Sequence, residues 1–406
     1  MSVSLSIPGR RIEKEGGNVT PYERYLSIKV TDALFCLGFV IYMIQNVIMS
    51  AMNIGGSYTI TTLALIAIFA LKTLMTIIEN RTINVSSLSV IAILVWMLIS
   101  IQMNSGTNRI TILMILLASS YRVNPRIIAK TALVSILASV GLILCLAISG
   151  AIPNTAFIQG SRIRHAVGFT YVGMLDLYVL HVALLAIYLK DRHISLPFIV
   201  LFLVSHGIAY SYSLVRGTLT VAILVWLLYL GLFQRTGAFN CETTIAVLAV
   251  LSTPLCCLIS FYTAVHFQPG SPSWELINDL LSGRLVFAQR ALTTYGITPF
   301  GRVVEWVGAA AVQSGRFASY EYNYVDSGYL QIAIQYGLVT LICVVAAYTT
   351  VSIYAFRYRM PSILLWVIAI AIESLIYPNL LTVSYNSLPV IAFAHLSSLM
   401  SQSEAS

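Results

Sequence analysis

The side chains in this sequence best equipped for chemistry are its arginines. A guanidinium presents a planar fork of N–H donors that grips a phosphate or carboxylate at two points, and a lysine ammonium does not reproduce it. The hydropathy pattern puts eight basic residues on one face of a membrane, and all eight are arginine: Arg109, Arg162, Arg164, Arg216, Arg284, Arg290, Arg302 and Arg316. The five lysines, Lys14, Lys29, Lys72, Lys130 and Lys190, all fall on the other face. Charges that run against the inside-positive bias of membrane proteins call for a reason. The partition points to an external site for an anionic, phosphate-bearing ligand.

Such a site also needs a proton acceptor. The candidates on the same face are His165, His266, Glu275, Asp279, Glu305, Glu321 and Asp326. Asp326 is the most suggestive, because Asp326, Tyr329, Ala333 and Gly337 fall at i, i+3, i+7 and i+11, one stripe of a helix. An acid, a ring and two small residues on one face would line a cleft. Helix capping and pairing with an arginine are equally good uses for an aspartate in that place. Tyr320, Tyr322, Tyr324 and Tyr329 near the same mouth would stack on sugars or anchor the membrane interface. The acids are scattered singly and the six cysteines follow no metal-binding spacing, so neither a metal site nor a cofactor is expected.

The elements that must position these groups are membrane helices. The chain is 58% hydrophobic and only 9% charged. Runs of about 20 apolar residues suffice to cross a bilayer. The sequence supplies about twelve, near 31–52, 57–78, 87–103, 109–121, 128–150, 169–189, 196–213, 217–233, 243–263, 324–353, 361–377 and 382–400. Counts of ten to twelve fit, since 109–121 is short and Tyr377-Pro378-Asn379 barely separates the last two. The expected organisation is a cytoplasmic tail (1–30), nine spans (31–263), a large external loop (264–323), three further spans (324–400) and a short cytoplasmic tail (401–406). Arg122, Arg126, Lys130, Arg357 and Arg359 flank spans on the inner side, which fixes the orientation. The net charge of +8 is then orientation signal and a complement to anionic lipid, not a nucleic-acid surface. Asp176, His181, His206 and Glu373 fall inside spans, where they need partners.

The sixty-residue loop is too rich in Trp, Leu and Phe to be disordered, and it should fold over the membrane face. Gln268-Pro269-Gly270-Ser271-Pro272 predicts a turn and a helix start, with Ser271 as the cap and Pro272 in the first position. Gly283 interrupts that helix and Arg284 opens a second. Arg284 and Arg290 stand about 120° apart on it, so they do not grip one phosphate together.

Several short motifs share an order along the chain. They are Arg162-Ile-Arg164-His165-Ala-Val-Gly168-Phe169, Ser213-Leu-Val-Arg216-Gly217-Thr218, Ser282-Gly283-Arg284-Leu285, Tyr295-Gly296-Ile297, Phe300-Gly301, and Asp326-Ser327-Gly328-Tyr329-Leu330 running to Tyr336-Gly337. In that order and sidedness the chain resembles the bacterial polymerases of lipid-linked oligosaccharide repeat units, which make exopolysaccharide, capsule and O-antigen. It departs from their pattern at Val215 and at Thr170-Tyr171-Val172. The resemblance implies an all-α polytopic membrane fold of the GT-C-like kind and a metal-independent, inverting glycosyltransferase in the bacterial cytoplasmic membrane. It implies a growing chain on undecaprenyl diphosphate as donor, a repeat unit on the same lipid as acceptor, and a chain-length regulator as a protein partner. Arg284 and Asp326 would carry the chemistry, with Arg162, Arg164, His165, Arg216, Arg290, Arg302 and Tyr329 contacting substrate. A polysaccharide ligase of the same superfamily shares these features, and a lipid-linked oligosaccharide flippase is the alternative from another class.

The orientation has a direct test. A phosphatase reporter that is active only outside the cytoplasm should be active when inserted within 264–323 and silent when fused after Ser406. The opposite pattern would invert the topology and place the eight arginines inside.

Overall fold

The computed structural model describes residues 30–51, 59–80, 95, 98–107, 109–159, 162–191, 194–233, 239–313 and 317–403. The expected N-terminal tail, most of the span near 87–103, and Arg316 lie outside these residues. Among the described residues the chain is helical except for one two-stranded hairpin. Five helices are long and apolar enough to cross a membrane: Val30–Met49, Pro125–Ile148, Leu196–Ser213, Thr243–His266 and Leu338–Arg357. Shorter apolar helices accompany them at Leu65–Met75, Arg109–Ser119, Arg216–Gly231, Pro361–Glu373 and Leu388–Ser398. This is an all-α membrane architecture.

In chain order the elements near the site are α1 (Val30–Met49), α2 (Thr59–Asn80), α3 (Arg109–Ser119), α4 (Pro125–Ile148), β1 (Ala156–Gln159), β2 (Arg162–His165), α5 (Met174–Lys190), α6 (Leu196–Ser213), α7 (Arg216–Phe233), α8 (Phe239–His266), α9 (Pro272–Leu280) and α10 (Arg284–Tyr295). Then come α11 (Ala309–Gln313), α12 (Gly328–Gln331), a π-helical turn (Ile332–Tyr336), α13 (Leu338–Arg357), α14 (Pro361–Glu373) and α15 (Leu388–Ser403). Helix α14 is apolar on every side, and Ile363 through Ala371 are buried, so it forms the centre of the bundle. Helices α5, α7, α8 and α13 pack around it. Helix α4 turns Ala129, Ala132, Ser135 and Ser139 inward and packs on α1, whose Phe35, Phe39 and Met43 fill the seam. Small residues facing large ones are how membrane helices approach closely, because lipid gives them no hydrophobic push together.

The loop helices start where the sequence places them. Ser271 stands at the cap of α9 and Pro272 in its first turn, and Gly283, at φ 83°, separates α9 from α10. The expected continuous span from 324 does not form. Ser327, not Asp326, caps α12 by accepting from the Leu330 amide. The chain then widens into the π-helical turn, stops at Gly337 (φ 92°) and restarts as α13. Asp326 and Gly337 therefore share no helical stripe with Tyr329.

The break is held by the external loop. Backbone N–H groups of Leu338 and Val339 donate to Thr298 and Pro299 at 2.9 and 3.1 Å, and that of Arg302 donates to Gln335 at 3.2 Å. The two strands of backbone meet at Gly301 and Gly337. A Cβ at Gly337 would overlap the Pro299 carbonyl oxygen, and one at Gly301 would overlap that of Gln335. A second break follows α14, and side chains from the bundle satisfy it. Tyr348 donates to the Leu380 carbonyl at 3.0 Å. His181 bridges the Ser384 carbonyl (Nδ1, 3.0 Å) and the Ser387 amide (Nε2, 3.1 Å). An amide donor at Nε2 requires a lone pair there, so the network assigns the proton to Nδ1.

Gly337→Ala should therefore lose stability on two counts, the left-handed backbone and the overlap with Pro299. The backbone strain alone is worth about 1–3 kcal/mol. Thermal unfolding of purified protein in detergent should show a drop of several degrees. Gly141→Ala, in open space on α4, is the control and should be neutral or stabilising. An unchanged midpoint for Gly337→Ala would remove the close approach.

Candidate functional site: an arginine-lined cavity

A cavity of about 1410 Å³ opens at one end of the bundle. Its walls come from α1, α2 and α3, the β-hairpin, the α6–α7 turn, the α9–α10 junction, the strand before α12 and the break after α14. Irregular backbone at membrane depth is tolerated where it lines a cavity, and two of these walls are irregular in that sense. Five arginines line it: Arg109, Arg162, Arg164, Arg216 and Arg284.

Arg162 and Arg164 stand two residues apart on β2, and alternation along a strand turns them to the same face. Phe157, cross-strand partner of Arg164, packs edge-on against Tyr171 at 6.4 Å between ring centres. Arg164 donates from Nε to the Ser213 carbonyl at 2.7 Å. That bond ties the hairpin to the α6–α7 turn, where Leu214 takes the left-handed conformation (φ 53°) and Arg216 opens α7. Gly217 admits the Ile376 side chain, which any Cβ would meet. Buried Asp176, one layer behind the cavity wall, hydrogen-bonds Ser213 and feels the Arg164 charge.

The fourth group sits on α10. Arg284 donates from Nε to Asp326 Oδ2 at 2.8 Å and from Nη1 to the Leu281 carbonyl at 3.1 Å. Its guanidinium lies over the Tyr377 ring, 5.8 Å from the centre. Burial works against the Arg284 cation, but the Asp326 carboxylate beside it prevails and holds its pKa above the ordinary arginine value. Burial pushes the Asp326 carboxyl up, and Arg284 draws it only partly back. Both side chains keep about a fifth of their surface open, 21% and 18%. The pair is thus packed on one side and faces the cavity on the other. Tyr171, Tyr322, Tyr324, Tyr377 and Tyr385 add hydroxyl and ring surface, and Leu65, Ile66, Phe69, Ile112 and Ile115 add an apolar wall.

The structure thus gathers Arg162, Arg164, Arg216, Arg284 and Asp326 from four separate stretches of chain. It leaves the other candidates elsewhere. Tyr329 is fully buried and donates its hydroxyl to the Ala371 carbonyl at 2.9 Å, so it fastens α12 to α14 and does not reach the cavity. Arg290 is exposed beside the Phe287 ring on another face of α10. Arg302 lies by the Gly301–Gly337 contact, and His165 carries a buried Nδ1 without a hydrogen-bond partner at the hairpin foot; neither lines the cavity. Among the acids weighed as bases, Glu275 and Glu321 are bonded to backbone amides of their own loops, Gly270 and Ala318. Asp326 alone of that set is on the cavity wall. Sequence reasoning counted Arg109 among the eight arginines of one face without assigning it a substrate contact, and it passed over Tyr171 and Tyr377 as site residues. Tyr377 carried a signal: a polar-aromatic break inside an apolar run marks irregular backbone, which in a membrane belongs at a cavity.

The Arg284–Asp326 pair is testable without knowledge of any ligand. Stability of Arg284→Ala, Asp326→Ala and the double variant, measured by unfolding in detergent, should not add. Each single change strands a partly buried charge, and the coupling should be about 1–2 kcal/mol. Additivity to within about 0.3 kcal/mol would mean the two groups do not interact.

Compared with known proteins, the chain matches no family, no curated protein and no solved structure.

Proposed function

We propose that this protein polymerises oligosaccharide repeat units carried on undecaprenyl diphosphate, at the outer face of the bacterial cytoplasmic membrane. The observation that carries the reading is the convergence of five arginines, six tyrosines and an apolar wall on one cavity. At about 1410 Å³ it exceeds the range of about 300–1,000 Å³ usual for small-molecule sites. A ligand that suits it is large, anionic in one part, hydroxyl-rich in another and apolar in a third. A lipid-diphosphate-linked sugar has those three parts.

The chemistry follows from the residues. Transfer of a glycosyl group breaks the bond between the anomeric carbon and the diphosphate oxygen, and negative charge grows on the leaving group. Fixed cations stabilise that charge as it develops, which lowers the barrier and not merely the binding energy. The arginines supply those cations from several directions. The acceptor hydroxyl forms the new bond to the anomeric carbon and loses a proton. Asp326 receives it, being the cavity carboxylate whose affinity for a proton is raised by burial. Arg284, bonded to that carboxylate through Nε and to the Leu281 carbonyl through Nη1, holds it in place and leaves Nη2 for the diphosphate.

Cells lacking the protein should accumulate single repeat units on the outer leaflet. Units trapped on the inner leaflet would indicate a flippase, and full polymer that stays on its lipid would indicate a ligase. Purified protein with lipid-linked units should form polymer in excess chelator, because the arginines do the electrostatic work. Arg284→Lys and Arg216→Lys should each lower turnover at least about 100-fold at normal protein level, a loss of roughly 2.7 kcal/mol of transition-state stabilisation. Wild-type turnover in both lysine variants, or abolition by chelator with rescue by magnesium, would overturn the role given to the arginines.

A further inference from the structure

Two surface elements beside the cavity are built inside out for water. On the hairpin, Ile158 and Ile163 are cross-strand partners and are 80% and 59% exposed, while Arg164 and Phe157, the next pair, turn toward the protein. On α9, Leu276 and Leu280, one helical turn apart, are 63% and 69% exposed, while polar Asn278 is buried and accepts from the Leu285 amide at 3.1 Å. An aqueous loop would place these groups the other way round. Clustered exposed apolar surface marks a partner. The two elements also continue the exposed apolar surface of helices long and apolar enough to cross a membrane. Ile148, the last residue of the spanning helix before the hairpin, is 84% exposed, and Tyr262 and Val265 at the end of the spanning helix before α9 are 59% and 62% exposed. Ile158 and Leu280 both reach the cavity rim.

We propose that the hairpin tip and α9 are lipid-contacting devices: their outward apolar faces sit in the leaflet on the cavity side and flank a lateral passage from the bilayer to the arginines. The partner is the acyl-chain region of that leaflet. An amphipathic helix and a hairpin with one apolar face are suited to lie at the boundary between headgroups and acyl chains. The hairpin sorts its two faces by the period of two along a strand, isoleucines to lipid and arginines to the cavity. An anionic lipid would thereby slide its headgroup to Arg162 and Arg164 with its tail still in the membrane. The lipid contact rests on the membrane architecture; the passage rests in addition on the proposed function.

The test uses the full chain in vesicles of phosphatidylcholine and phosphatidylglycerol. A fluorescent amino acid replaces Ile158, Ile163 or Leu280 in turn, with Glu305, an exposed charged position of the loop, as the control. Lipid bearing a nitroxide near the glycerol end of its acyl chain should quench the three test positions severalfold more than aqueous iodide does, and the control should show the reverse. Iodide quenching at 158 and 280 equal to the control would overturn the lipid contact. For the passage, the Ile158→Ser/Ile163→Ser double variant should raise KM for the lipid-linked substrate severalfold with kcat retained. A fall in kcat at unchanged KM would overturn it. Absence of turnover in the wild type would sink the proposed function and leave the quenching result to decide the lipid contact alone.

Discussion

Backbone that leaves a helix inside an apolar bundle must find hydrogen-bond partners there, since each orphan amide or carbonyl would cost several kcal/mol. This chain runs as irregular backbone near the cavity just before Gly328 and again between Glu373 and Leu388, and the two stretches are neighbours. The Gly328 amide donates to the Ser374 carbonyl at 2.8 Å, which joins them directly. His181, Tyr329, Tyr348 and Asn386 supply side-chain partners from the surrounding helices and the second break itself. Buried His181, Tyr348 and Asn386 are thereby explained by what they hold. They keep open a stretch of irregular wall that a continuous helix would have closed.

On that wall, among the described residues, the charges are mostly positive. Asp326 answers Arg284 directly, and Asp176 answers Arg164 from behind through Ser213. The cavity lining holds five arginines and one carboxylate, so an incoming anion meets a net positive field in a region partly shielded from water. Electrostatic interactions gain strength as the dielectric falls, and the tyrosines and apolar residues around the arginines lower it. Two of the arginines, Arg164 and Arg284, are preorganised, because their guanidinium groups are anchored to structure that the ligand does not have to build. Arg164 rests on a main-chain carbonyl, and Arg284 on a carboxylate and a main-chain carbonyl.

Much of this was legible in the sequence, and the part that was not has physical causes. Apolar runs give the helices, and Pro272 and Gly283 give the bounds of α9 and α10, because those residues act through local backbone preferences. Of the eight arginines that the partition from lysine singled out, Arg109, Arg162, Arg164, Arg216 and Arg284 converge on one cavity, Arg290 and Arg302 do not, and Arg316 lies outside the described residues. What the sequence did not reveal is direction. Arg290 and Tyr329 carry the same chemical credentials as the groups that face the cavity. Helix periodicity does set Arg290 about 120° around α10 from Arg284, but Tyr329 is turned inward by a hydrogen bond to α14 that no local pattern announces. The expected stripe from Asp326 to Gly337 assumed a helix of uniform pitch. A single extra residue in one turn is enough to rotate everything beyond it.

The hairpin carries that dependence on count to its extreme. Its arginines and isoleucines alternate, and only parity separates the residues that face the cavity from those that face outward. Inserting or deleting one residue between Ala156 and His165 would exchange the two sets, presenting isoleucine to the cavity and guanidinium to the surroundings. Changes of length by two would leave both faces intact and merely shift their reach. The permissible lengths of this short segment therefore come in steps of two, a constraint imposed on genetic change by the pleat of a strand alone.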